Sequence, residues 1–176
     1  MLRIAFLSAL VILVVVLASV VPSASPGPIV AGTPTTMVYA LPYRTTTAQT
    51  SWDLEVTVLN LTNNERVAAG LAPLMPHATI RSVARAHGRE MFAFGYLSHL
   101  SRTGLSPQQR VLRRGIHVRL VGENLAYAAD IRSAHEALMA SEAHRQNILS
   151  PQYRLIGIGV LDGGPQGLIV VQDFLD

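Results

Sequence analysis

The chain has 176 residues, no cysteine, and fourteen basic residues, all arginine, against eleven acidic ones, for a formal net charge of +3. Without cysteine it can build no disulfide, thiolate metal site or thiol nucleophile, so its stability has to come from packing. The small basic excess does not describe a nucleic-acid-binding surface, and the expectation is a monomeric domain with no nucleic-acid partner.

Met1, Leu2 and Arg3 precede a run from Ile4 to Val21 that is apolar apart from Ser8 and Ser19. A basic start followed by such a run directs export. Its length lies between a long signal peptide and a short membrane span. Pro22 and Pro26 spoil the nearby small-x-small cleavage sites, so residues 1–24 read as either a signal peptide or an uncleaved anchor in contact with the membrane. With no basic residue between Arg3 and Arg44, the charge bias keeps the N-terminus inside and sends the rest out, to an extracellular or cell-surface location. Residues 25–52, rich in Pro, Thr, Ser and Ala without apolar periodicity, read as an extended linker. Residues 53–176 then form one domain.

In that domain Leu54, Val58 and Leu61 recur at helical spacing as an inward face, and the pattern stops at Gly70. Thr79 is predicted to cap a second helix with Ile80, Val83, Ala84, His87 and Met91 inward, ending near Gly95. His87 on that face reads as a satisfied core histidine. Arg81, Arg85 and Arg89 share another face and read as solvated, as do Arg110, Arg113, Arg114 and Arg119; together they offer a surface for anionic lipid or cell-wall polymer. Ser106 and Pro107 form an N-cap and N1 pair opening a short helix that ends at Gly115. Asp130 caps another, with Ile131, Ala134, Leu138 and Met139 inward. The period then changes: Arg154 to Leu161 and Leu168 to Phe174 are β-rich runs joined by a turn over Asp162 to Gly167, an antiparallel hairpin. Helices followed by strands indicate an α+β domain.

Four segments in order carry a resemblance: TNNERVAAGLAPL (Thr62 to Leu74), VARAHGREMFAFGYLSH (Val83 to His99), GENLAY (Gly122 to Tyr127), and SEAHRQNILSPQYRLIGIGV (Ser141 to Val160) with VQDF (Val171 to Phe174). Together they resemble the CAP superfamily (cysteine-rich secretory, antigen 5 and pathogenesis-related 1; SCP-like) in its bacterial, cysteine-free form. The resemblance implies a three-layer α-β-α sandwich with an antiparallel sheet between helical layers. It also implies a central cleft lined by two histidines and acidic residues. Matched by motif, His99, Glu123 and His144 fall on three of those places. Ser141 stands where animal and plant members carry a second Glu, Leu138 replaces the usual Trp, and Ala143 the usual Gly. Asn124 and Asn147 are expected to hold the cleft loops.

Two imidazoles and a carboxylate suit a divalent cation, zinc first, and His99, His144 and Glu123 are the candidate ligands. Family association with sterols and fatty acids permits a small apolar ligand instead. No motif for hydrolysis is present: His135-Glu136-Ala137-Leu138-Met139 ends in Met and reads as helix surface, and there is no Gly-x-Ser-x-Gly elbow. The leading expectation is a non-catalytic exported binding module. The alternatives are a metal-assisted or serine-type hydrolase using Ser98 or Ser101 with His99 or His144 and Glu123, and a structural wall-associated domain.

Overall fold

The computed structural model describes the backbone of residues 15–20 and all of residues 38–176. Residues 1–14 and 21–37, most of the expected export segment and the first part of the expected linker, therefore lie outside the described residues, while the rest of that linker, 38–52, is built into the domain, with Leu41 and Ala48 buried in its core. No helix among the described residues is long and apolar enough to cross a membrane.

A sheet runs through the middle. Strands β6 (Val121–Ala128), β8 (Leu168–Leu175) and β7 (Leu155–Asp162) lie antiparallel in that spatial order. Beyond β6 lies β1 (Val15–Val20), antiparallel, with Ser19 opposite Glu123 and Ala18 opposite Asn124. Beyond β7 lie two short strands, β3 (Gln49–Thr50, antiparallel) and β4 (Met75–Pro76, parallel). A separate short pair joins β2 (Tyr39–Ala40) and β5 (Tyr96–Leu97).

Alternation along each strand divides the core in two. Leu125, Tyr127, Ile169 and Val171 point to the side of α2 (Ala78–Phe94), where they meet Ala84, Met91 and Phe92. Ala126, Ala128, Leu168, Val170 and Phe174 point the other way, to α1 (Trp52–Ala68), α4 (Ile131–Ala140) and α5 (Glu142–Ile148), against Val58, Ala134, Leu138 and Ile148. This is the expected α-β-α sandwich. A short helix, α3 (Pro107–Leu112), closes the α2 side with a capping box between Ser106 and Gln109, and Val111 joins Ile80, Val121 and Leu175 there.

Helix α2 comes unusually close to β7. A Cβ on Gly157 would stand 2.4 Å from the Ile80 carbonyl carbon, and one on Gly159 2.6 Å from the Arg85 amide. The Gly-spaced run of β7 is therefore a backbone-to-backbone contact surface.

Three local expectations need correction. The cap of α2 is His77, whose Nδ1 accepts from the Ile80 amide at 3.4 Å, rather than Thr79. Helix α1 turns a largely polar stripe inward: Glu55, Val58, Thr62 and Arg66 are buried, while Leu54 and Leu61 are half-buried. The expected face holds, with Val58 in the core cluster and Leu54 and Leu61 packed against it, but the buried stripe is wider than the apolar positions alone, because Glu55, Thr62 and Arg66 are buried beside them, each with a partner. Glu55 takes a bidentate bond from Arg85 (2.7 and 2.6 Å), and Thr62 accepts from Gln172 at 2.9 Å. Arg66 donates to the carbonyls of Ala72, Ile148, Ser150 and Tyr153. Finally, the arginine stripe on α2 is only partly solvated: Arg85 is tied to Glu55, and Arg81 lies over the Trp52 ring at 4.5 Å.

Candidate functional site

The β6 strand brings Glu123 and Asn124 to opposite faces of the sheet. On the α2 side, Glu123 is fully buried. His99, in the loop after β5, places Nδ1 2.7 Å from its Oε1, and Arg110 of α3 donates Nη2 to its Oε2. Arg110 also donates Nη1 to the carbonyls of His99 (2.6 Å) and Leu105 (3.1 Å), pinning the loop that carries the histidine. Burial pushes the Glu123 carboxyl up, but the Arg110 charge and the His99 bond outweigh it and hold it well below the usual carboxylate range.

Opposite Glu123 on β8 stands Asp173, also fully buried. Neither of its carboxyl oxygens accepts a hydrogen bond from a described donor. Burial, and then the adjacent Glu123 charge, push Asp173 well above its ordinary value. Of the two carboxyls it is the one whose environment favours the proton, and in that form it has a donor for Glu123.

On the other face, Asn124 donates to the His144 carbonyl (3.2 Å) and to Gln172 (3.1 Å), while Asn147 donates to Asn124 (2.8 Å) and to the Glu123 carbonyl (3.4 Å). His144, near the start of α5, has Nδ1 2.6 Å from the hydroxyl of Ser141, which stands at the N-cap position of that helix and gives its side chain to the imidazole. Among the six residues expected in one cleft, His99 meets Glu123 and Ser141 meets His144. The asparagines bridge them through backbone carbonyls.

This arrangement does not fit a resident divalent cation. Both Glu123 oxygens are committed, and a guanidinium stands where a second positive charge would repel a metal. Among the described residues no group of three or more His, Cys, Asp or Glu side chains is placed to hold a metal ion.

Two residues of the cluster were not read from the sequence in these roles. Arg110 was assigned to a solvated face and is buried. Asp173 was quoted within VQDF, but a carboxyl in the middle of an apolar strand was itself the signal for a buried titratable group. His87 is a core histidine as expected, bonding through Nε2 to the Ser98 carbonyl at 2.8 Å. His135, read as helix surface, is buried with Nε2 3.3 Å from Glu65 of α1.

A separate feature lies where α1 meets β4, α2 and β7. Trp52, Val56, Leu59, Pro76, Ile156 and Ile158 line an apolar groove, with Arg81 and His77 also on its wall. Trp52, the only tryptophan, is 54% exposed.

The layering, the Gly-Glu-Asn strand and the hairpin register define a CAP-type sandwich. The chain belongs to the CAP, or cysteine-rich secretory protein, family, which it matches over residues 59–174. It is 38% identical over 111 residues to the uncharacterised Bacillus subtilis protein YkwD, covering 62% of this chain and 43% of that one. It is 36% identical over 107 residues to YlbC, an uncharacterised membrane protein of the same organism, covering 60% and 31%. The chain thus spans less than half the length of these relatives. Among solved structures it is similar to an extracellular SCP-domain protein of Bacillus anthracis (TM-score 0.63, 28% identity, 70% of this chain and 40% of that one). It shares its fold with an outer surface protein of Borrelia burgdorferi (TM-score 0.68, 18% identity, 73% and 98%).

Proposed function

We propose that the chain is an exported, non-catalytic binding module that takes a small apolar or amphipathic ligand in the groove between α1 and the β4–α2 segment. The groove carries this reading. Six apolar side chains converge there, Glu55 beside them is neutralised by Arg85, and Arg81 supplies a cation for an acidic headgroup. Export is supported by the basic start and apolar run of residues 1–21, and by the surface location named for the structural relatives.

The test uses Trp52 as its own reporter. Titrating dodecanoate should give a saturable change in tryptophan emission, and Val56→Arg, which puts a charge on the groove wall, should abolish it. No saturable change, or an unaltered response in Val56→Arg, would reject the groove as the site.

The Ser141–His144 contact keeps a serine-hydrolase reading open to experiment. It is a local contact between a helix cap and the residue three positions on, and the buried carboxylate that would complete a triad is engaged by His99 and Arg110. A fluorophosphonate probe should therefore leave Ser141 unlabelled, and labelling lost in Ser141→Ala would show an activated nucleophile there and favour the hydrolase.

A further inference from the structure

The two edges of the β6–β8–β7 sheet are protected differently. At β7, the edge is covered by β3 and β4, both from within the part of the chain that carries the core. At β6, the only cover among the described residues is Val15–Val20, which lies inside the apolar run read as the export segment. That run cannot occupy a bilayer, or be cut away, and also complete the sheet.

The strand left behind is a poor candidate for a bare edge. Sheet edges are ordinarily blunted by short strands, charges, bulges or proline. β6 has eight residues, Val121 to Ala128, all buried in this arrangement, with no proline and one charged residue, Glu123, that is neutralised from the α2 side. Six consecutive positions, Gly122 to Tyr127, are in antiparallel register with Val15–Val20. Helix α5 packs against β1 as well as β6, so the slot has one wall besides its backbone edge. The His99–Glu123 pair lies on its α2 side, and Asn124, on the other face, donates to the His144 carbonyl of α5.

We infer that the β6 edge is a strand-accepting site for an extended, apolar polypeptide segment, which the chain's own residues 15–20 occupy until export withdraws them. Recognition is main-chain hydrogen bonding along Gly122–Tyr127, with selection for small and apolar side chains that fit between the layers. This inference rests on the export reading only for the slot being open; it is independent of the groove at Trp52.

The experiment uses the chain from Val38 onward. This segment contains every member of the three apolar clusters and so the whole described core, and circular dichroism verifies that it is folded. A synthetic peptide of residues 14–21, with lysines appended at its ends for solubility, is titrated into it while amide hydrogen exchange is followed. Saturable binding that slows exchange across Gly122–Tyr127 is expected. The same peptide N-methylated at alternate backbone positions should bind about tenfold more weakly or worse, having lost its main-chain donors. Absence of binding, binding that leaves β6 exchange unchanged, or equal binding of the methylated peptide would overturn the inference. Membrane fractionation and N-terminal sequencing of the exported full chain test the export reading separately. An intact, membrane-free chain with β6 still protected would refute that reading without touching the peptide result.

Discussion

Glu123 and Asp173 face each other across β6 and β8, both fully buried, and their surroundings favour the charge on Glu123 and the proton on Asp173. Arg110 and His99 decide which is which, because both approach Glu123.

The two carboxyls consequently have opposite effects on stability. The folded-state pKa of Asp173 is raised, so stability from this group is complete below its unfolded value of about 3.9 and falls as pH rises toward the folded value. The folded-state pKa of Glu123 is lowered, so its contribution is present above its unfolded value and is lost in acid, as pH falls through the depressed folded value. Asp173→Asn should flatten the fall in stability above pH 4, removing a slope of at most about 1.4 kcal/mol per pH unit. Glu123→Gln should cost about 3 to 5 kcal/mol at pH 7, because it strands the buried Arg110. Urea denaturation across pH 4 to 8 checks both, and equal losses in the two variants at pH 7 would refute the assignment of the proton.

Arg66 is 2% exposed and ties α1 to the carbonyls of Ala72, Ile148, Ser150 and Tyr153. Arg66→Lys should lose about 3 kcal/mol, since one ammonium cannot span acceptors that a guanidinium reaches from three nitrogens. The measurement is equilibrium unfolding, and a Lys variant as stable as the parent would show that charge alone suffices.

Gly157→Ala and Gly159→Ala should each cost about 1 to 3 kcal/mol or more by forcing α2 off the sheet, since the added carbon meets helix backbone. Gly104→Ala, in open space at φ +79°, should cost about 1 kcal/mol from backbone strain alone. Thermal melts of the three variants separate steric from conformational cost.

Zinc titration by calorimetry should show no stoichiometric site, and a double His99→Ala, His144→Ala variant should behave like the parent. One-to-one binding that the double variant loses would mean that Glu123 exchanges Arg110 for a metal.

The helix periods, the Ser106 and Asp130 caps and the hairpin were legible because each is a short-range signal: spacing, cap chemistry and turn residues. The burial of Glu55, Thr62 and Arg66 on α1 was not, because it is decided by partners remote in sequence, such as Gln172 for Thr62 and Arg85 for Glu55. Motif matching found His99 and Glu123, which the fold brings within 2.7 Å, but the residue that neutralises this buried carboxylate was not legible, because Arg110 comes from a separate helix. Arg110 was hidden among neighbouring arginines that are exposed.

The guanidinium of Arg66 spans segments 82 or more positions apart in the chain. A secreted fold commonly makes such a long-range closure with a covalent cross-link, which requires an oxidant and can form with the wrong partner. Here the closure is reversible and forms whenever the carbonyls are in place. The domain can therefore assemble on either side of a membrane, survive a reducing milieu, and refold after denaturation without passing through mispaired intermediates.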